Sequence, residues 1–171
     1  MYPQRKDSKM PLGVFTATKC HVTNEYADPE KSDKEKEEFD IGIIRVNSNI
    51  ASKTGSFGMK YTTNPNSLKN TEVTVAGYPE YIGKDLNIYA GYKQYTMKGP
   101  ITRIELENNP NDNQRYSRLF YNTLDTSGGQ SGSAIHTTGF TAIGVHTNGY
   151  DNENAGVMFN KVYYDWIRQY I

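Results

Sequence analysis

Apolar and polar residues alternate along most of this chain in short runs, each closed off by glycine, asparagine, proline or serine. Residues 13–22, 41–46, 71–76 and 86–89 carry this two-residue period, and so do 101–106, 117–121, 134–136, 140–147 and 156–159. Successive side chains of a strand point to opposite faces, so a two-residue period predicts strands with one face buried. Turn dipeptides such as Thr138-Gly139 and Asn148-Gly149 separate the runs, and about nine short strands at such spacing predict an all-β sandwich or barrel. The tail changes period. Val162, Tyr163, Trp166, Ile167 and Tyr170 fall on one face at helical spacing, with Asp165, Arg168 and Gln169 opposite, which predicts one amphipathic C-terminal helix docked through its apolar side.

Composition narrows the classes. A length of 171 residues is enough for one domain or two small packed lobes. Nineteen basic residues balance nineteen acidic ones, so no net field draws the chain to nucleic acid or an anionic membrane. No run of about 18 apolar residues occurs, so no membrane-spanning helix is expected. Cys20 stands alone, which excludes an internal disulfide and a multi-cysteine metal site. The first residues lack the apolar stretch of a secretory leader. Either the chain is cytosolic or its natural N-terminus lies elsewhere. No cofactor and no metal are expected. The Asn/Asp-rich stretches 108–113 and 151–154 fit no calcium-loop spacing and read as turns.

Residues 29–38 form a mixed-sign charge run, expected to be a solvated loop. Asp40 follows it and opens an apolar strand, which puts a carboxylate at the edge of the core, where it needs a donor or a positive charge.

The most informative stretch is Gly128-Gly-Gln-Ser-Gly132. Acyl transfer to a serine needs a hydroxyl exposed on a tight turn, a base to remove its proton, and donors for the developing oxyanion. Glycines free the backbone to turn sharply, so the N–H groups of Gly129 and Ser131 can face one point. No lysine follows the glycines, which argues against a phosphate loop. A turn without chemistry remains the alternative at this stage.

Residues 125–133, Asp-Thr-Ser-Gly-Gly-Gln-Ser-Gly-Ser, resemble the nucleophile turn of chymotrypsin-fold serine proteases, and most closely the V8-like bacterial glutamyl endopeptidases. Ala142-Ile-Gly-Val-His-Thr-Asn-Gly149, Asp40-Ile-Gly-Ile-Ile44, Ala76-Gly-Tyr-Pro79, Lys98-Gly-Pro-Ile101, Tyr2-Pro-Gln-Arg5 and Met10-Pro-Leu-Gly13 are similar to further motifs of that branch, in order. The resemblance implies a double Greek-key β-barrel with its first barrel incomplete. A remainder of the N-terminal barrel would span 1–75, the C-terminal barrel 76–160, and the helix 161–171. It implies Ser131 as nucleophile, Asp40 as the carboxylate that orients an imidazole, and the N–H groups of Gly129 and Ser131 as oxyanion hole. Thr126 and His146 would bind an acidic P1 side chain, and the backbone at Thr147 and Asn148 would pair with substrate. The implied partner is a polypeptide cut after glutamate or aspartate, and the implied location is outside the cell.

One part of the family pattern is missing. The base sits in a Thr-x-x-His motif upstream of the segment that here begins at residue 2. His21 follows a Thr16-Ala-Thr-Lys-Cys sequence superficially like that motif, but in register it matches a mid-strand position. His136 has no family role. The expectation is a nucleophile and an orienting aspartate without their base. Losing one triad member leaves about 10³- to 10⁴-fold catalysis over water. A preceding segment or a second chain would supply the missing strands and histidine. The rival reading is a silent homologue that serves as a binding module.

Overall fold

The structure, a computed structural model, describes residues 4–82, 85–89, 93–108, 115–121 and 126–171. Strand β1 (Ala17–Val22) and strand β2 (Gly42–Val46) form an antiparallel pair by themselves. Ten more strands follow: β3 (Gly58–Met59), β4 (Glu72–Gly77), β5 (Tyr81–Ile82), β6 (Asp85–Tyr89), β7 (Tyr95–Pro100), β8 (Arg103–Asn108), β9 (Arg115–Tyr121), β10 (Ala134–Thr137), β11 (Thr141–Gly149) and β12 (Asn154–Met158). All nine expected strands are present. Of the three not expected, β3 and β5 are too short to show a period. β7 carries lysine, glycine and a terminal proline, tolerated because it is the outer strand of its sheet.

Eight strands make one sheet in the order β7–β4–β10–β11–β12–β9–β8, with β3 added in parallel beside the start of β11. The other pairings in this sheet are antiparallel, and the sheet curls into a half-barrel. The architecture is all-β, of the trypsin-like type, with a C-terminal helix α4 described below.

Alternation explains which residues face inward. In β4 the burial follows Val73, Val75 and Gly77, and Val73 and Val75 join Ile101, Leu119, Tyr121, Ile135, Ile143 and Met158 in one core. β11 and β12, central in the sheet, are buried on both faces. Their other face meets a second core of Phe39, Ile41, Ala142, Val157, Phe159 and Tyr163. Burying side chains of this size contributes about 1.5–3 kcal/mol each.

The described residues also form four short α-helices: α1 (Asn24–Ala27), α2 (Asp33–Lys36), α3 (Ala51–Thr54) and α4 (Lys161–Arg168). α4 is the expected amphipathic helix. Asn160 caps it by accepting from Tyr163 N at 2.8 Å, and Tyr163 is fully buried. The charge run is more ordered than a solvated loop. Ser32 and Glu35 form a capping box that starts α2, and a 3-10 turn, Glu37–Phe39, follows it. The Ser-x-x-Glu spacing that nucleates this turn is visible in the sequence; the charge count obscured it.

Candidate active site

The turn carrying Ser131 is built from its own residues. Gln130 is buried, and its Oε1 accepts from Ser127 N at 2.9 Å. Ser133 N donates to Gln130 O, Gly132 N to His146 O, and His146 N to Ser133 O, so the turn is sewn to β11. Glu80 N donates to Gly128 O at 2.6 Å and ties it to the end of β4. Gly129 has φ +92°, and a Cβ there would lie 2.8 Å from the Tyr78 carbonyl oxygen, so only glycine fits. The outcome is an exposed Ser131 whose Oγ donates to the Thr147 carbonyl at 2.9 Å. Among the described residues, the N–H groups of Gly129 and Ser131 donate to no acceptor. Two unengaged amides beside an exposed hydroxyl are the chemistry an oxyanion requires.

Asp40 is held from below. Its neighbours Phe39 and Ile41 are buried in the second core, and the Tyr163 hydroxyl donates to Glu38 O at 2.7 Å. The Asp40 carboxylate itself has no hydrogen-bond donor among the described residues. Half-buried, it is pushed above its ordinary value by desolvation first and by the Glu37 charge second. It lines a cavity of ≈ 230 Å³ together with Tyr26, Asp33, Lys36, Glu37 and Asn148. The structure thus brings Asp40 to Asn148, one residue along the chain from the carbonyl that receives Ser131.

His146 is buried in β11, opposite Gly156 of β12. Its Nδ1 lies 2.6 Å from the Tyr121 hydroxyl. Burial pushes the imidazole below its ordinary value, against a backbone hydrogen bond at Ala155, and burial pushes the Tyr121 phenol far up. A bulge in the β11–β12 pairing at Thr147 lets the strand turn there. The Thr147 hydroxyl is buried without a hydrogen-bond partner among the described residues. The Thr126 hydroxyl donates to Asn154 Oδ1, and Asn154 pairs with Gly149 across β11 and β12. Thr126 and His146 therefore meet the same hairpin, but no hydrogen bond joins them among the described residues.

The other two histidines lie elsewhere. His21 packs against Tyr170 with ring centroids 4.1 Å apart, in β1 opposite Ile43. His136 bonds the Thr137 carbonyl through Nδ1 and sits between Phe57 and Phe140. No histidine hydrogen-bonds Ser131 or Asp40 among the described residues. Asp151–Asn154 is a turn closed by Tyr150 N to Glu153 O. Positions 2 and 3 of the Tyr2-Pro motif, Asp125, and 109–113 of the first Asn/Asp-rich stretch lie outside the described residues.

Sequence reasoning missed three supporting side chains. Gln130 and Tyr121 were in view, one inside the turn and one at a strand end, yet neither pattern reveals a buried polar role. Arg118 gave no signal at all: it is buried mid-strand on β9 and pairs with Glu37 and Glu105.

The chain matches the Trypsin family model over residues 9–167. It is 30 % identical over 174 residues to the glutamyl endopeptidase of Bacillus licheniformis, an alignment covering 95 % of this chain and 47 % of that protein. It is 28 % identical over 176 residues to a Bacillus subtilis protein called extracellular metalloprotease, covering 98 % and 48 %. The chain spans about half the length of the curated relatives it matches. Among solved structures, a Glu endopeptidase in complex with MPD superposes with a TM-score of 0.75 at 25 % identity, covering 98 % of this chain and 69 % of that one. The protease Anisep of Arthrobacter nicotinovorans, at 17 % identity and a TM-score of 0.61 over 96 % and 70 %, shares the fold.

Proposed function

The chain belongs to the trypsin family of serine proteases, and on that premise we propose that it is the body of an endopeptidase that cuts after glutamate, or aspartate, by acyl-enzyme chemistry. Ser131 attacks the scissile carbonyl, and the N–H groups of Gly129 and Ser131 hold the oxyanion. Asp40 orients an imidazole and stabilises its charged form. Thr126 and His146 select the acidic P1 side chain, and the Thr147–Asn148 backbone pairs with the substrate as an added strand. The substrate is an extracellular polypeptide, and the protein works in the secreted state. The lobe division expected at residue 75 falls inside β4, which pairs with β7 and β10, so we place the division before Glu72.

The observation that carries this reading is the serine turn itself: an exposed hydroxyl with two unengaged amides. The half-buried Asp40, without a hydrogen-bond donor among the described residues, supports it, since such a carboxylate suits a cationic partner. Among the described residues none of the three histidines hydrogen-bonds Ser131 or Asp40, and in this reading another segment or chain supplies the base. The silent-homologue reading draws on one observation of its own, the Ser131 hydroxyl engaged by a carbonyl.

The test is intact-mass labelling with organophosphonate probes bearing glutamate or lysine at P1, with Ser131→Ala as control. The chain alone is expected to label slowly. A longer product of the same reading frame with an upstream Thr-x-x-His motif is expected to label fast with the glutamate probe. Rapid labelling of this chain would make one of its own histidines the base. Equal rates with both probes would remove the acidic preference, and an unreactive longer product would leave the silent homologue.

A further inference from the structure

We propose that Arg118 is a positioning residue for Asp40: from the large sheet it grips Glu37, fixing the turn that presents the Asp40 carboxylate and compensating the negative charge beside it. The inference rests on Asp40 serving as the imidazole's carboxylate.

Glu37 and Asp40 lie at the two ends of one 3-10 turn, Glu37–Phe39 and its following cap residue. Both side chains line the ≈ 230 Å³ cavity. On its other side Glu37 faces a second cavity of ≈ 410 Å³, lined also by Lys34, Arg103, Glu105, Arg118, Phe120, Tyr150 and Glu153. Glu37 is therefore the wall between the Asp40 cavity and a charged cleft. In that cleft its Oε2 accepts from Arg118 Nη1 and from the Tyr150 hydroxyl, the latter at 2.9 Å. Arg118 Nη1 also reaches the Tyr150 oxygen at 2.9 Å, and Nη2 donates to Glu105 at 2.6 Å.

The guanidinium is also held by its own sheet. Arg118 is 9 % exposed, stands 5.3 Å from the Phe120 ring, and sits on β9 in the antiparallel ladder with β8 and β12. Arg103 covers the same ring at 3.6 Å and takes Glu153 at 2.5 Å, so that carboxylate does not compete for Arg118. The Asp40 turn is thus pinned at two adjacent residues from the large sheet and its helix: Glu37 by Arg118 and Tyr150, and Glu38 by Tyr163. An arginine forked between two carboxylates is held in one geometry, and removing it leaves both carboxylates without their shared cation.

The charged and titratable groups facing Asp40 are Tyr26 from α1, Asp33 and Lys36 from α2, and Glu37. Glu37 is the one whose charge raises Asp40. Releasing Glu37 from Arg118 strengthens that influence, and neutralising Glu37 removes it.

The experiment is a carbon-detected NMR titration of the Asp40 carboxyl in the whole chain and in Arg118→Met, Glu37→Gln and the double variant. Arg118→Met is expected to move the Asp40 midpoint up, Glu37→Gln to move it down, and the double variant to match Glu37→Gln. An unmoved midpoint in Arg118→Met, or an equal upward shift with Glu37 already neutral, overturns the proposal. Should Arg118→Met not fold, Tyr150→Phe and Arg118→Lys take its place. Each is expected to raise the midpoint, and no shift in either overturns the proposal as well. The titration reads Asp40 whether or not the chain cleaves peptides, so failure here and failure of the protease reading are separable.

Discussion

The Ser131 hydroxyl donates to the Thr147 carbonyl at 2.9 Å, while the Asp40 carboxylate in the neighbouring cavity has no donor at all among the described residues. In the proposed reading these two side chains are the ends of a relay, one satisfied by a carbonyl and the other still open to a donor. Ser131 is exposed and makes this single side-chain contact, so Ser131→Ala is expected to change unfolding free energy by no more than about 0.5 kcal/mol. Urea denaturation of both chains checks it. A loss of several kcal/mol would mean that the serine is structural.

Gly129 is different. Its φ of +92° and the 2.8 Å approach of the Tyr78 oxygen leave no room for a Cβ. Gly129→Ala is expected to cost about 1–3 kcal/mol of stability through strain alone, and to lower phosphonate reactivity in any active form. The denaturation midpoint and the labelling rate read the two effects separately.

His146 gives a pH dependence. Its folded value is depressed by burial, so the unfolded chain binds the proton more tightly. The corresponding stability is fully present above the ordinary value of 6.5 and is lost as pH falls through the folded value. Thermal unfolding between pH 8 and 5 is expected to show the drop. Tyr121→Phe leaves Nδ1 without its 2.6 Å partner and is expected to cost about 1–3 kcal/mol at neutral pH. An unchanged melting temperature would place the phenol outside the folding energetics.

Asp40 gives the opposite sign. Its folded value is raised, so the folded chain holds the proton more tightly and stability declines as pH rises through that value. Asp40→Asn is expected to raise the melting temperature at neutral pH and to erase that decline. Calorimetry at pH 3.5 and pH 7 decides it. A lower melting temperature for the variant at pH 7 would mean that Asp40 already has a partner.

How far the site was legible varies residue by residue. Ser131 and Gly129 were visible because a glycine-flanked serine is a local geometry, written in five consecutive residues. β4 and β11 were visible because alternation is local too. β7 was not, because the sheet tolerates lysine, glycine and proline on an outer strand that alternation rules reject. Tyr121 and Arg118 were not, because their partners His146 and Glu37 lie 25 and 81 residues away in the chain. No local pattern reports such a distance.

The order of residues by itself determined the two-residue period of the strands, the helical face from Val162 to Tyr170, and the glycine turn around Ser131, since each depends on neighbours within one turn or one strand. Only the tertiary structure decided that Asp40 and Asn148 share a cavity and that Glu37 stands between Asp40 and Arg118. It also decided that, among the described residues, no histidine ring hydrogen-bonds the serine: the His146 backbone holds the turn while its ring turns to Tyr121. Those relations follow from how the sheet curls and where the C-terminal helix docks, and they depend on packing between elements far apart in the chain.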